Sequence, residues 1–350
     1  MPPHFTRRTA LTVGGAGVAA SLLAACGGSG ETATTTTVTG STAPTIFGAN
    51  AGFRFAVISH AIDDAFFVPL QYGVADACEL LGCSYDWAGS ASNNATQEIE
   101  AIDTAVSAGV DGIATTIIES EAFEAPIAAA LAHGIPVISY NADAAQTSSL
   151  AYIGQNLEAS GKLMAEQILA VLPDGGKVAL FVSTPGLPDV EPRVRGLRAA
   201  LKQTDVKLTV AGSGAASAEQ DHVINAFITA NSDFNGFFGA DQGSTLTVGN
   251  TIQNGNLAAK GIVGGGFDPN IEIEQLIASG DLAFAIDQQP YLQGFLAIVQ
   301  LYLYKVSNGL TGPADVDTGL KLITKQNVTP YVKTVSRFEG SSSSAGVQAS

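Results

Sequence analysis

Segments typical of β-strands alternate along this chain with segments typical of α-helices, and the alternation runs twice. Short apolar runs rich in Val, Ile and Phe are each followed by an amphipathic stretch of about 10–17 residues. This order favours parallel strands joined by right-handed helical crossovers. The predicted strands are FRFAVIS, YDWAG, DGIATTI, IPVISY, KVALFV, KLTVAG, FNGFFGA, GIVGGGF, LAFAIDQ and LKLIT.

We therefore expect an α/β fold of two doubly wound, Rossmann-like parallel-sheet domains. The length of 350 residues supports this division, because one core rarely serves more than about 250–300 residues. We place the N-terminal lobe at residues 51–150 plus 289–316 and the C-terminal lobe at residues 151–288 plus 317–335.

Two helix ends carry recognisable capping signals. Asn94, with Gln97 three residues later, is typical of a capping box at a helix N-terminus. His133 and Gly134 are typical of a helix C-terminus, where Gly takes the left-handed conformation and His meets the negative end of the dipole. We therefore interpret His133 as a capping residue and not as a ligand.

Residues 1–25 have the pattern of a secretory signal peptide. The pair Arg7-Arg8 precedes an uncharged apolar run that ends at Ala25, and this run is shorter than the roughly 20 residues that span a bilayer. The segment Leu-Ala-Ala-Cys, ending at Cys26, resembles the lipobox of bacterial lipoproteins, in which the Cys receives lipid. The segment TRRTAL also resembles a twin-arginine signal, so twin-arginine and general export both remain open.

Cys26 is thus a candidate lipidation site. The residues before the folded part are predicted to form a tether, and those after it a tail. Residues 26–50 are rich in Gly, Ser and Thr and predict a flexible tether, and residues 336–350 predict a disordered tail. We expect the chain to be exported and anchored by lipid on the outer face of the cytoplasmic membrane.

The charge balance excludes one class of partner and disfavours another. The chain carries 32 Asp and Glu against 16 Lys and Arg, a formal net charge of −16. Nucleic acid binding needs a basic face, so we expect no nucleic acid partner. The excess of negative charge also disfavours a strongly anionic ligand.

Metal, cofactor and catalytic patterns do not stand out. The four His are scattered without ligand spacing, so we expect no metal site. The run Gly264–Gly266 lies inside a predicted strand and not in a phosphate loop, so no cofactor is expected. We find no nucleophile–base pair and expect a protein that is not an enzyme.

The pair Cys78 and Cys83 has two possible states. Cys78 lies on the apolar face of a predicted helix and Cys83 just beyond its end. Two buried thiols and a local disulfide, which export would allow, both remain open.

Polar residues follow the ends of several predicted strands. Ligands of doubly wound sheets bind at the carboxyl ends of strands, near the point where the strand order reverses. The residues at these positions are mostly carboxylates and amides, with one Arg and two aromatic rings. They comprise Asp63, Asp64, Phe66, Asn141, Asp143, residues 184–193, Asp241, Asp268 and Gln288.

Five motifs in this order resemble a known family. They are DDAFF from Asp63, IPVISYNA around Asn141, GLPDVEPR from Gly186, VGGGFD ending at Asp268, and AIDQQP around Gln288. Together they are similar to the type I periplasmic sugar-binding proteins, the ribose and galactose group that serves ABC importers. The resemblance covers about residues 53–332. Asp241 stands where that family usually has Asn.

The resemblance implies a binding protein whose two lobes, joined by a three-crossing hinge, close over a sugar. We expect the crossings near residues 148–156, 288–290 and 315–320. The implied ligand is a neutral monosaccharide or polyol, the implied partner is the permease of an ABC importer, and the implied state is a monomer. A sensor that uses the same closure without transport is the alternative. The implied ligand-binding residues are Asp64, Phe66, Phe67, Asn141, Asp189, Arg193, Asp241, Asp268 and Gln288.

Several of these residues also have purely structural interpretations. Asp268, followed by Pro269, could cap a helix N-terminus. Arg193 could form a surface ion pair. We expect one of the two rings, Phe66 or Phe67, to face the cleft and the other the core, and we interpret His60 as a rim or structural residue.

Overall fold

A computed structural model describes residues 52–144 and 146–332 of the chain. The predicted signal peptide, the lipidation site at Cys26, the tether and the tail all lie outside the described residues. Within the described residues, no helix is both long and apolar enough to cross a membrane.

Twelve strands, ten α-helices and two short 3-10 helices make up the described part of the chain. The strands are β1 (Arg54–Ser59), β2 (Ser84–Gly89), β3 (Gly112–Thr115), β4 (Val137–Tyr140), β5 (Tyr152–Gly154), β6 (Gly176–Val182), β7 (Val206–Gly212), β8 (Gly236–Gly239), β9 (Val263–Phe267), β10 (Phe284–Asp287), β11 (Val316–Asp317) and β12 (Lys321–Thr324). The helices are α1 (Val68–Leu81), α2 (Ala95–Ser107), α3 (Ser120–Ala132), α4 (Leu157–Val171), α5 (Glu191–Leu201), α6 (Ser217–Ala230), α7 (Gln242–Asn254), α8 (Ile271–Ser279), α9 (Pro290–Val306) and α10 (Thr329–Val332).

The strands form two six-stranded sheets, one in each lobe. The first has the order β11-β5-β4-β3-β1-β2 and is parallel throughout. The second has the order β12-β10-β9-β8-β6-β7. In both sheets the strand order reverses beside the strand that begins the lobe, β1 in the first and β6 in the second. The prediction of two doubly wound domains is confirmed.

The second sheet departs from the prediction at its edge. Strand β12 pairs with β10 in the antiparallel sense, whereas the alternation of strands and helices favoured parallel pairing. The connection from β11 to β12 is a short turn without a helix. It brings the chain into the second sheet beside the end of β10, where Lys321 pairs with Asp287, so β12 runs back along β10. Because β11 and β12 lie in different sheets, the chain changes lobe in that turn.

The lobe boundaries also differ from those expected. Strand β5 pairs with β4, so the first sheet continues to Gly154 and not to residue 150. Strand β11 extends the same sheet to Asp317. Both strands have only two or three residues, which is too short for a pattern of alternating side chains to mark them.

Helices cover both faces of each sheet, and four apolar clusters lie between the layers. In the first lobe, α1 and α9 cover one face around Phe55, and α2 and α3 cover the other around Ile113. In the second lobe, α4 and α5 cover the face around Leu180, and α6, α7 and α8 cover the face around Phe237. Inner strands such as β3, β4, β8 and β10 are buried on both faces, which is the reason for the continuous apolar runs in the sequence.

Three crossings join the lobes, at residues 155–156, 288–289 and 318–320. They fall inside the three segments predicted from the sequence. The crossings are hydrogen-bonded to one another: Thr318 donates from Oγ1 to the carbonyl of Gln288 at 2.8 Å, and Gln155 donates from Nε2 to the carbonyl of Gly319 at 3.3 Å. The three crossings of the hinge are therefore held together by hydrogen bonds.

The N-cap at Asn94 and the C-terminal cap at His133 and Gly134 are confirmed. The reciprocal half of the capping box is wrong, because the backbone N–H of Asn94 donates to Ser90 Oγ at 3.0 Å. The Asn94 side chain accepts a hydrogen bond from the backbone N–H of Gln97 at 3.2 Å. At the other end of the lobe, Gly134 has φ +75°, and His133 Nδ1 lies 2.8 Å from the carbonyl oxygen of Ala129. These contacts satisfy backbone groups that a helix end leaves unpaired.

Cys78 and Cys83 are both free thiols in this structure. Cys78 is buried on α1, as predicted, and Cys83 is half-buried. The backbone N–H of Cys83 donates to the carbonyl of Cys78 at 3.0 Å, so the two residues close the end of the helix together.

Candidate functional site

A cavity of about 540 Å³ lies between the lobes at the carboxyl ends of the strands. Its wall comes from the loops after β1, β4, β6, β8, β9 and β10, which include the reversal point of each sheet. All nine residues implied as ligand-binding line this one cavity: Asp64, Phe66, Phe67, Asn141, Asp189, Arg193, Asp241, Asp268 and Gln288. Their contact with a ligand remains a prediction.

A single-turn 3-10 helix over Ala65–Phe67 carries the aromatic part of the wall. Asp64 caps this turn, because its Oδ1 accepts from the backbone N–H of Phe66 at 2.9 Å. Phe66 and Phe67 meet edge to face, with ring centroids 4.9 Å apart. Both rings line the cavity and both belong to the core under α1, so the expectation that they divide these roles is wrong.

Three polar side chains link the two lobes through the hinge. Asn141, at the end of β4 in the first lobe, donates from Nδ2 to Gln288 Oε1 at 3.2 Å. Gln288 in turn donates from Nε2 to Oδ1 of Asp268, in the second lobe, at 2.8 Å. Asn141 and Asp268 both have positive φ, 61° and 62°, which turns each side chain sharply out of its strand.

The interpretation of Asp268 as a helix cap is wrong. Helix α8 begins at Ile271, and its N-cap is Asn270, whose side chain accepts from the backbone N–H of Ile273 at 2.8 Å. Because the backbone at Asp268 is left-handed, the N-cap of α8 lies two residues after it, at Asn270. The Asp268 carboxylate faces the cavity instead of a helix end.

Arg193 is a buried cation on α5 and not a surface residue. It is 4% exposed, and its guanidinium carbon lies 4.3 Å from the ring centroid of Phe267. Its NH1 group donates to the carbonyl of Ala240 at 2.7 Å, and NH2 donates to Oε1 of Gln155 at 3.3 Å. The surface ion-pair interpretation is therefore wrong, because these contacts hold the guanidinium between the hinge and the cavity.

Two glycines bring α5 close enough to place Arg193 there. A Cβ atom added at Gly161 on α4 would lie 2.0 Å from the carbonyl oxygen of Arg193. The reciprocal position, Gly196 on α5, would place a Cβ 2.1 Å from the carbonyl oxygen of Glu158. Only hydrogen at both positions allows this contact between the helices.

Asp241 has its oxygens occupied by protein donors. Oδ1 accepts from the backbone of Ser244 at 2.8 Å and from Gln220 Nε2 at 3.2 Å. Oδ2 accepts from the backbone of Ser183 and from the hydroxyl of Ser244, both at 2.9 Å. Asp241 therefore caps α7 and fixes the loop after β6. These contacts give a structural explanation for a carboxylate at this position.

Comparison of this chain with known proteins agrees with the architecture and the cavity described above. The model of the periplasmic binding protein domain matches residues 55–308. The chain belongs to this family. The resemblance to sugar-binding proteins found in the sequence is confirmed, since a curated relative is the xylose/arabinose-binding protein XylF of Sulfolobus acidocaldarius. The two are 38% identical over 368 residues, which cover 97% of this chain and 90% of that protein.

Two solved structures extend the comparison. A solute-binding protein of an ABC transporter from Burkholderia graminis, solved with D-arabinose, superposes with a TM-score of 0.75 at 26% identity, covering 80% of this chain and 97% of that one. A carbohydrate transporter from Acidothermus cellulolyticus, solved with myo-inositol, superposes with a TM-score of 0.72 at 26% identity, covering 81% and 97%. The family is one of substrate-binding proteins.

Loss of hydration shifts the pKa of two carboxyls in the cavity wall of this periplasmic binding protein. It raises the pKa of Asp268 to about 7, against the opposing effect of the Arg193 guanidinium. Burial likewise raises the pKa of Asp241 to about 6, although hydrogen bonds from Ser244 and Ser183 oppose the shift. In both cases the loss of hydration disfavours the charged form more than the nearby donors favour it.

His60, which the sequence analysis interpreted as a rim or structural residue and left out of the ligand-binding set, belongs to the cavity wall. It follows β1 directly, lines the cavity, and is 6% exposed. Its Nδ1 is buried with no hydrogen-bond partner, and burial lowers its pKa although Asp189 and Asp64 act in the opposite direction. Its place immediately after the first strand was the signal that could have found it.

Asn93, Gln220, Asn270 and Glu272 also line the cavity without having been predicted. They lie on loops and helix starts whose approach to the cavity depends on the tertiary fold. Over residues 52–144 and 146–332, no group of three or more His, Cys, Asp or Glu side chains could hold a metal ion.

Proposed function

We propose that this protein is an exported solute receptor that captures a neutral monosaccharide or polyol between its lobes and delivers it to an ABC importer. One observation carries the proposal. The cavity between the lobes combines carboxylates, amides, a guanidinium and two aromatic rings, and the hinge amide of Gln288 joins its two halves.

The chemistry of the wall suits a polyhydroxylated ligand. A sugar hydroxyl both donates and accepts, and its bonds to carboxylates and Arg are worth about 1.5–3 kcal/mol each. Asp268 and Asn141 supply acceptors and donors from opposite lobes. The rings of Phe66 and Phe67 supply an apolar face for the C–H side of a sugar ring.

The charges of the wall support a neutral ligand. Asp64, Asp189 and Asp268 line the cavity together with Asp241, whereas Arg193 supplies a positive charge. An anionic ligand would meet these carboxylates in a partly dry site, at a cost of several kcal/mol unless protons are taken up. Sugar phosphates and sugar acids are therefore disfavoured.

An aldopentose is the first candidate within this class. The relative that is 38% identical is named for xylose and arabinose, and the Burkholderia graminis protein was solved with D-arabinose. Delivery to an importer is our inference, and it is supported by the family and by the name of the Burkholderia graminis protein as a solute-binding protein of an ABC transporter. Export and anchoring through Cys26 rest on the sequence pattern ahead of the folded part.

A thermal unfolding screen with D-xylose, D-arabinose, D-ribose and myo-inositol tests ligand capture. A ligand at a hundredfold excess over its Kd stabilises the folded state by about 2.7 kcal/mol, so a true ligand gives a clear rise in the midpoint. The variant Asp268→Ala is the control that should lose this rise. A rise with sugar phosphates alone would contradict the proposal.

Two further measurements separate the receptor from its alternatives. Loss of radiolabelled sugar uptake on deletion of the gene supports transport, whereas unchanged uptake with a lost transcriptional response supports the sensor. Recovery of the bound sugar unchanged after long incubation supports a binding protein, and recovery of a product would indicate an enzyme.

A further inference from the structure

The loop over residues 184–190 joins β6 to α5 in the second lobe and reaches the first lobe. Its Leu187 is half-buried and packs against the apolar cluster that lies between the first sheet and helices α2 and α3. Among the residues that the structure describes, every other member of this cluster belongs to the first lobe. Leu187 is thus an apolar contact from one lobe to the core of the other.

Backbone hydrogen bonds tie Leu187 to the helix that carries the cavity's cation. The carbonyl of Leu187 accepts from the backbone N–H of Val190 at 3.1 Å and from that of Glu191 at 2.9 Å. Glu191 is the first residue of α5, which holds Arg193 in the cavity. Displacement of Leu187 from its contact would therefore be transmitted to the start of α5.

A second residue of the same loop also meets the first lobe. Asp189 lines the cavity, and its Oδ1 is buried without a hydrogen-bond partner. Burial raises the pKa of Glu98 and lowers that of His60, and the charge of Asp189 adds to the first shift and opposes the second. Both of these groups belong to the first lobe. Two independent side chains thus place this loop against the opposite lobe.

We infer that Leu187 is a positioning residue. Residues 184–190 form a latch between the lobes, in which the contact of Leu187 with the first-lobe cluster holds the two lobes closed over the cavity. The inference rests on the proposed capture of a ligand between the lobes. Leu187 does not line the cavity itself, so it acts on affinity only through the position of the lobes.

The energetic effect follows from what opening does to Leu187. When the lobes separate, its side chain leaves the first-lobe cluster and is exposed to water, so its burial favours the closed form alone. Because Leu187 is only half-buried, truncation to Ala removes about half of what a fully buried Leu side chain would contribute. We expect affinity to fall about tenfold, which corresponds to about 1.4 kcal/mol, with most of the change in the dissociation rate.

The test compares the full chain with the variants Leu187→Ala, Leu187→Asp and Leu187→Met. The control is Leu310→Ala, since Leu310 is 90% exposed. Small-angle scattering gives the radius of gyration without ligand and with D-xylose or D-arabinose, and calorimetry gives Kd for both sugars. Urea unfolding of the ligand-free variants separates a positioning role from a merely structural one.

We expect Leu187→Asp to increase the radius of gyration of the ligand-free protein, because a carboxylate cannot remain in the apolar contact. Leu187→Ala should weaken sugar binding about tenfold. Leu187→Met, which keeps an apolar side chain of similar size, and Leu310→Ala should both bind sugar as tightly as the wild type does. Unchanged scattering and affinity in Leu187→Ala and Leu187→Asp would overturn the latch. Lower stability with unchanged scattering and affinity would also overturn it.

Failure of the proposed function has a different signature. If the wild type bound neither sugar, capture of these pentoses would be refuted, while the scattering of the ligand-free variants would still decide the latch. Equal radii of gyration for wild type and Leu187→Asp would then refute it, and a larger radius for Leu187→Asp would support it.

Discussion

Gln288 donates a hydrogen bond from Nε2 to Oδ1 of Asp268 at 2.8 Å, and this contact joins the hinge to the cavity wall. The carbonyl oxygen of the same amide accepts from Asn141 of the first lobe and from Gln293 of α9, both at 3.2 Å. A rotation of the lobes about the hinge therefore changes the position of both cavity residues. This arrangement couples the hinge to the groups proposed to hold a ligand.

Replacement of Asp268 by Ala should weaken sugar binding about 30- to 150-fold. The variant leaves ligand hydroxyls buried without their acceptor, at a cost of about 2–3 kcal/mol. Calorimetry with D-xylose on wild type and variant measures the change. The matched control is Asp233→Ala, because Asp233 pairs with Lys177 on the surface and should not affect binding. An unchanged affinity in Asp268→Ala would place the site elsewhere.

Replacement of Gln288 by Glu should weaken sugar binding more at pH 8 than at pH 5.5. The change places a carboxylate where the amide N–H now meets Asp268, and two buried carboxylates in contact cannot both ionise cheaply. At pH 5.5 one shared proton relieves the repulsion. We expect at least about a tenfold loss at pH 8, where this relief is absent.

A surface pair supplies the control for this substitution. Gln253 donates from Nε2 to Oδ2 of Asp281 at 2.9 Å, in the same amide-to-carboxylate geometry but exposed to water. Solvent screens such a contact, so Gln253→Glu should leave binding unchanged at both pH values. A loss of affinity in Gln288→Glu that is equal at both pH values would argue against charge as its cause.

The stability of the ligand-free protein should fall as pH rises from about 4 to about 7. Burial raises the pKa of Asp268 from 3.8 to about 7, so in this window the folded state holds a proton that the unfolded chain has lost. Stability then decreases with pH, because the folded state binds more protons. The contribution should be on the order of 1–3 kcal/mol, and that of Asp241 has the same sign.

Urea unfolding at pH 5, 6, 7 and 8 measures this dependence. Asp268→Asn keeps the shape of the side chain and cannot ionise, so its free energy of unfolding should vary less with pH than that of the wild type. If both proteins gave parallel curves, Asp268 would not be the group that titrates.

Replacement of Gly161 by Ala should destabilise the second lobe by about 1–3 kcal/mol. The added methyl would lie 2.0 Å from the carbonyl oxygen of Arg193, so α5 must move away from α4. The same displacement shifts Arg193 and should weaken sugar binding. Urea unfolding and calorimetry measure both effects. Gly312→Ala is the control, since no atom lies within 4 Å of a Cβ there, and equal stability of the two variants would contradict the packing argument.

Replacement of Cys26 by Ala should release the exported protein from membranes. The expectation follows from Leu-Ala-Ala-Cys at the end of an apolar run, ahead of a Thr-rich tether. Cell fractionation and the mass of the mature protein measure it. Cys83→Ala, which changes a half-buried thiol of the folded part, should remain anchored. Retention of Cys26→Ala in the membrane fraction would refute lipidation at that residue.

Local chemistry made much of the fold and of the site predictable. The apolar runs marked ten strands because both faces of each sheet are buried, and Asn94 marked a helix start because its side chain satisfies a free N–H. The residues lining the cavity could be named because the carboxyl ends of parallel strands share one edge of a sheet. Asp64, Asn141 and Asp268 all follow strands or lie in the loop after one.

The alternation of strands and helices by itself determined two largely parallel sheets, the order of their elements along the chain and the edge of each sheet on which a ligand site would lie. Tertiary structure alone decided the rest: the antiparallel pairing of β12, the short strands β5 and β11, the burial of Arg193 and the place of His60. The reason is physical. Periodicity and caps depend on neighbours in the chain, whereas these features depend on contacts between residues far apart in it, such as Arg193 with Ala240.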